Sequence, residues 1–204
     1  MGYAFLDTLA TPSVRAAQEA NGVGALWQEA GADRDFVRLG PAEAAFIAAR
    51  DSFYLASVSE NGWPYLQHRG GPRGFLKVLD AKTLAFADFR GNRQYISLGN
   101  IAADDRVCLF LMDYPNRARL KVLAHMQAVG LPDHPDLAER LTTPGYRGKV
   151  ERAMVLRLEA FDWNCAQHIT PRFTIEETLA AVAPLRSRVT ELEAEVARLR
   201  AGAA

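Results

Sequence analysis

The segment F-A-D-F-R-G-N-R-Q, Phe86 to Gln94, gathers the residue types that hold a phosphate. A strand-like stretch ends there in a turn containing Arg90, Gly91, Asn92 and Arg93, and a helical pattern follows at once. Arginine forks and the free amides of a helix N-terminus together supply the donors and the positive field that a phosphate requires. The competing reading of this segment alone is a solvated turn whose arginines pair with neighbouring acids such as Asp88.

Two further segments carry similar potential. Arg117, Arg119 and Lys121 alternate, so on a strand they share one face, either a binding face or an outward, solvated one. In Q-H-R-G-G-P-R-G, Gln67 to Gly74, the pair Gly70-Gly71 would let a backbone approach a flat ligand and address its polar edge, or would simply mark a bulge. Formal net charge is zero, yet Gln67 to Lys121 holds ten Lys or Arg against five Asp or Glu, so an anionic ligand is sought there. The zero total gives no general pull toward nucleic acid; that reading would predict binding that collapses with salt. Cys165-Ala166-Gln167-His168 offers two metal ligands, but with two cysteines and four histidines in all, and no second Cys pair, no metal is expected. No G-x-G-x-x-G, Walker loop or G-x-S-x-G occurs, which argues against a Rossmann site, a P-loop or a serine hydrolase.

These segments need a scaffold, and the pattern predicts a mainly β one. Phe53–Val58 and Trp63–His68 are rich in β-branched and aromatic residues and flank the turn signal Asn61-Gly62, which predicts a hairpin. Phe75–Leu79 with Thr83–Asp88 and Arg106–Met112 with Arg117–Val129 predict two more strand pairs, interrupted by a helix over Gln94–Ala103. Short connections favour an antiparallel barrel over alternating β and α units. A short helix is expected over Asp133–Leu141 and a last strand over Val150–Phe161. Helices are also predicted from Thr11-Pro12 to Asn21-Gly22 and from Pro41 onward.

The last stretch differs in kind. Leu185, Val189, Leu192, Val196 and Leu199 recur as a heptad seam with Val at a and Leu at d, which favours a parallel two-stranded coil; an amphipathic helix packed on its own domain is the alternative. Pro184 is expected to start or kink this helix. The organisation expected is a helical extension over 1–40, a main domain over 41–173 and a C-terminal helix over 174–204. No apolar run spans a bilayer and the first residues do not form a signal peptide. With Cys108 in an apolar strand, a reducing, cytoplasmic setting is expected.

G-W-P-Y-L-Q-H-R, L-A-F-A-D-F-R-G-N-R-Q, D-D-R-V-C-L-F-L and R-A-R-L-K-V, taken in that order, resemble the FMN-binding proteins related to pyridoxamine 5′-phosphate oxidase. The resemblance runs from about Phe46 to Gln127, with a continuation W-N-C-A-Q-H-I-T-P-R-F from Trp163 to Phe173. It implies a six-stranded antiparallel split β-barrel with flanking helices, FMN as cofactor and a homodimer with the flavin at the subunit interface. Carried over by position, Gln67, His68, Arg69, Gly70 and Gly71 lie along the flavin and Asp88 near its ribityl region. Arg93 and Gln94 fall on the family's phosphate-binding Arg-Lys pair, and Arg119 on the position of a glutamine that contacts the flavin. Gln94 removes one cation, which Arg90 or Arg117 could restore; Asn92 belongs to the same turn. A cation such as Arg119 near flavin N1 and C2=O would stabilise the reduced ring.

Trp163 and His168 form a wall of the flavin or substrate pocket in this reading, or else are ordinary packing. Gln67 to Pro72 replaces the family's Arg-x-x-Leu-Leu-Lys stretch, and the Trp-Arg-Leu type C-terminal motif is missing, so vitamin B6 oxidation itself is not expected. The expectation is an FMN-dependent oxidoreductase acting on a small donor, with a non-catalytic flavin-binding sensor or interaction protein as the alternative, since this barrel also accommodates deazaflavin and haem.

Overall fold

A computed structural model describes residues 3–29, 36–163 and 166–202. Four helices come first: α1 (Ala4–Leu9), α2 (Pro12–Ala20), α3 (Gly24–Glu29) and α4 (Pro41–Ala48). Strands β1 (Ser52–Val58), β2 (Pro64–Gly70), β3 (Lys77–Asp80) and β4 (Thr83–Phe89) follow, then α5 (Ile96–Ala103). After β5 (Arg106–Asp113), β6 (Ala118–Val129), α6 (Pro135–Leu141) and β7 (Val150–Trp163), the last described element is α7 (Ile175–Gly202). The chain forms two compact units, Met1–Asp113 with Ala118–Ala166, and Tyr114–Arg117 with Gln167–Ala204.

The first unit holds one antiparallel sheet in the order β2-β1-β5-β6-β7-β4-β3. This corrects the expected six-stranded barrel: among the described residues there are seven strands, and no ladder joins β2 to β3, so the sheet is not closed. The seventh strand is needed because β7 lies between β6 and β4 and pairs with both along its length. Each expected strand is present, shifted by a residue or two. The first hairpin turns where Asn61-Gly62 predicted it, with Gly62 at φ 84° in the left-handed region that glycine adopts freely.

Alternation, shifted where β6 and β7 pair at Leu123–Ala124, gives the sheet two faces. The inner face carries Phe53 and Leu55 of β1, Leu109 and Leu111 of β5, Leu120 and Val122 of β6, and Leu156 of β7, all essentially buried. Phe53 meets Phe86 of β4 edge-to-face at 5.3 Å although β1 and β4 are not sheet neighbours, so the sheet curls its inner face around one core. α6 covers Ala85, Ala87 and Ala153 on the outer face of β4 and β7. Near Ala160 the outer face is covered by Tyr3 and Phe5 around α1.

α1 and α3 lack strong periodicity in so short a span and are not predicted from the sequence. α7 occupies the stretch expected for the C-terminal helix. It begins at Ile175, nine residues before Pro184, which lies inside it. Thr174 and Glu177 form a capping box, the Thr174 hydroxyl accepting from the Glu177 amide at 3.1 Å and the Glu177 carboxylate accepting from the Thr174 amide at 2.8 Å. The helix is therefore already started when the chain reaches Pro184. Among the described residues, no helix is long and apolar enough to cross a membrane.

Candidate functional site

β4 delivers the chain to the site. Phe86 is inward and buried, and two residues later Asp88, also inward, is the last buried residue before the strand ends at Phe89. The turn Arg90–Gln94 then leads to α5. Arg93 and Tyr95 both sit in the left-handed region, at φ 62° and 53°. Asn92 fixes this turn: its Oδ1 accepts the Gln94 amide and its Nδ2 donates to Gln94 Oε1, each at 3.1 Å. Tyr95 offers no side-chain cap to α5, which leaves first-turn amides for a ligand.

A cleft of about 220 Å³ opens at this corner, lined by the turn, the start of α5 and the inward side chains of β2. Gln67 and Arg69 line it because β2 alternates; Ser97 of α5 donates to Gln67 Oε1 at 3.0 Å. Arg69 Nη1 donates to Asp88 Oδ1 at 2.7 Å, and its Nε is buried without a partner. Arg93 also lines the cleft and has no ion-pair or hydrogen-bond partner among the described residues.

Two acids balance the cations. Asp88 holds Arg69 and, at 3.4 Å, Arg152 of β7. Glu151, also of β7, accepts from Arg90 Nε at 2.7 Å, from Arg152 at 3.0 Å and from the Tyr95 hydroxyl at 3.1 Å. The bond from Arg90, aided by Tyr95, holds the Glu151 carboxyl below its ordinary value, against the opposing effect of burial. Arg90 is thus occupied, and the cations left to an incoming anion are Arg93 and the unpartnered edge of Arg69.

The other expected site residues lie elsewhere. His68 points to the outer face, where its ring meets Tyr54 edge-on at 5.8 Å. Gly70 and Gly71 do not line the cleft; a Cβ on Gly71 would lie 2.6 Å from Phe75 Cγ, so this glycine serves core packing. Arg117 belongs to the β5–β6 turn, at φ 52°, rather than to the alternating strand, and falls in the second unit with His168. Arg119 lies opposite Met112 on the outer face of β6, its Nε buried and unpartnered. Lys121, next on that face, is held by Asp162 at 2.8 Å and stands over the Phe5 ring.

Trp163 donates its indole N–H to Glu43 Oε1 at 2.8 Å and meets Phe46 edge-on at 4.7 Å, away from the residues that line the cleft. Cys165, of the Cys165/His168 pair considered for a metal, lies outside the described residues. Sequence reasoning missed Tyr65, Tyr95, Ser97, Glu151 and Arg152. The signal available for Ser97 was its place in the first turn of the helix after the arginines; for Glu151 and Arg152 there was none, since they come from a strand some 60 positions downstream.

Comparison with known proteins places this geometry. The family described as pyridoxamine 5′-phosphate oxidase matches residues 39–155, more than half of the chain and every strand but the end of β7. The chain belongs to the pyridoxamine 5′-phosphate oxidase family. The match spans the cleft, from Gln67 through Arg93 to Glu151, and excludes α7. No curated protein matches the sequence.

Solved structures similar to this member of the family include an FMN-binding protein from Syntrophomonas wolfei subsp. wolfei, 15% identical over 72% of this chain and 97% of that one, with a TM-score of 0.49. A protein of the pyridoxinephosphate oxidase family from Clostridium acetobutylicum, related to general stress protein 26 of B. subtilis, is 15% identical over 65% and 92%, TM-score 0.44. An F420 reductase is 20% identical over 61% and 98%, TM-score 0.44.

Proposed function

We propose that this protein binds FMN with its phosphate in the Arg69–Arg93 cleft, and that it is a flavin-dependent oxidoreductase acting on a small donor. The observation that carries the reading is the pairing of two incompletely satisfied guanidiniums in one cleft, Arg93 without a partner and Arg69 with a buried orphan Nε. Leaving the buried Arg69 Nε unsatisfied costs about 1–3 kcal/mol, which a bound phosphate would recover, while the exposed Arg93 guanidinium exchanges water for a charge-assisted bond. Arg69 thereby takes the place of the second cation that Gln94 fails to provide. Asn92 holds the turn, and the first amides of α5 add donors.

Bound FMN would supply two-electron or one-electron acceptance at its ring. The chain's own residues position it. Asp88 orients Arg69, and Gln67, fixed by Ser97, offers a polar contact beside the phosphate. The cleft is sized for the phosphate and sugar end, so the ring extends past it.

The same reading includes a homodimer. On the outer face of β1, β2 and their turn, Trp63, Leu66, Val58 and Tyr54 are 73%, 64%, 41% and 36% exposed, an apolar surface suited to a second copy. His68 and Arg119 lie on this outer face. A partner bringing them toward the ring would account for their separation from the cleft, with Arg119 stabilising the reduced flavin.

The test is direct. Purified protein, or apoprotein incubated with FMN, should show bound-flavin absorption and a 1:1 titration, and NADH or NADPH should bleach it. No FMN uptake would overturn the reading; uptake with no reduction by any donor would favour a non-catalytic flavin binder. Uptake of deazaflavin or haem in preference to FMN would overturn the choice of cofactor.

A further inference from the structure

α7 is a continuous helix of 28 residues that buries none of them. Its apolar stripe is open from Leu185 onward, with Leu185, Val189, Leu192, Val196 and Leu199 exposed by 43–67%. Because the helix begins at Ile175, the seam is longer than the sequence pattern after Pro184 suggests. Extending the frame backwards puts Ile175 and Val182 at a, with Thr178 at d. Every a position is then β-branched, and three of the four d positions are leucine. That combination favours two parallel strands over higher oligomers. Pro184 falls at c, off the seam, where its missing N–H and its ring face away from a partner.

We propose that α7 pairs in register with α7 of a second copy of this chain as a parallel two-stranded coiled coil. The charges flanking the seam favour a second copy over an unrelated helix. In a parallel pair each g residue faces the e residue five positions on in the partner. Arg188 at g then faces Glu193 at e, and Glu195 at g faces Arg200 at e, and two-fold symmetry makes each pair twice. Arg188 now bonds Glu191 of its own helix at 2.9 Å, but both side chains are more than 60% exposed, so exchanging that partner costs little. Four heptads on each strand exceed the roughly 12–15 residues below which isolated helices are marginal. The pairing does not depend on flavin, and it gives the domains a tether outside the region that the family match covers.

Oxidative crosslinking of the full-length chain tests this. With Cys108→Ser and Cys165→Ser as background, Leu199→Cys places a thiol at a d position, beside its own copy in the partner. Mild oxidation should convert the protein to a disulfide-linked dimer on a non-reducing gel. Adding Val189→Asp and Val196→Asp puts carboxylates in the seam and should slow crosslinking by at least about ten-fold. A thiol at position 199 that stays free, or that crosslinks equally fast with both aspartates present, would overturn the proposal. So would a Leu199→Cys chain that links only to a Val182→Cys chain, since that contact belongs to antiparallel helices.

Discussion

Arg69 Nη1 and Asp88 Oδ1 meet at 2.7 Å although their strands, β2 and β4, have four other strands between them in the sheet. The bond exists because the curled sheet turns the inward side chains of β2 toward the end of β4. Asp88 therefore both orients a cleft cation and ties two distant parts of the sheet together. Asp88→Ala should destabilise the fold by about 3 kcal/mol, because it leaves the mostly buried Arg69 guanidinium without its acid and leaves Arg152 with Glu151 alone. Arg69→Ala should cost less stability and weaken FMN binding by about ten-fold. Denaturant unfolding and FMN titration of the two variants separate the roles; equal FMN affinity in Arg69→Ala would remove Arg69 from the phosphate.

Arg93 offers a cleaner division of function from stability. It has no partner to lose, and it sits at φ 62°, a conformation that costs a non-glycine residue on the order of 1 kcal/mol. Arg93→Gly should leave the melting temperature unchanged or slightly raised while FMN affinity falls by about ten- to a hundred-fold. A variant that binds FMN as tightly as the parent would place the phosphate elsewhere.

Most of the sheet was readable because its signals are local: Asn61-Gly62 dictates a turn, and alternation assigns the strands. The turn at Arg90–Arg93 was readable for the same reason. The sequence pattern could not show that Gln67 and His68 point to opposite faces until β2 had a partner and a buried side. Nor could it reveal Glu151, which meets Arg90 only because β7 inserts beside β4. Closure fared worst, since whether two sheet edges join depends on the curl of all seven strands together. Of the two roles open to Pro184, starting the helix is the one the structure rules out, because the Thr174–Glu177 cap has already begun it upstream.

Gly71 separates a packing glycine from one that admits a ligand. Its added Cβ would press on Phe75, which is 3% exposed and stacked on Phe53 with ring centres 5.5 Å apart, so Phe75 cannot swing away. Gly71→Ala should destabilise the protein by about 1–3 kcal/mol, as overpacking does, with FMN affinity within two-fold, or about 0.4 kcal/mol, of the parent at a temperature where both are folded. A stable variant that has lost FMN would instead put the Gly71 backbone against the flavin.

Glu151 sets an acid limit on the site. Arg90, with Tyr95, holds its carboxyl below the ordinary value of 4.5 in the folded protein, so folding favours the ionised form. Its contribution is therefore complete above about pH 4.5 and is lost as pH falls through the depressed folded value. Glu151→Gln removes that charge at every pH. The variant should be less stable than the parent at pH 7, and the difference should shrink steadily on acidification from pH 5 to pH 3. Thermal unfolding across that range measures it. A difference that stays constant with pH would show that the Arg90–Glu151–Tyr95 cluster acts through neutral hydrogen bonding and packing alone.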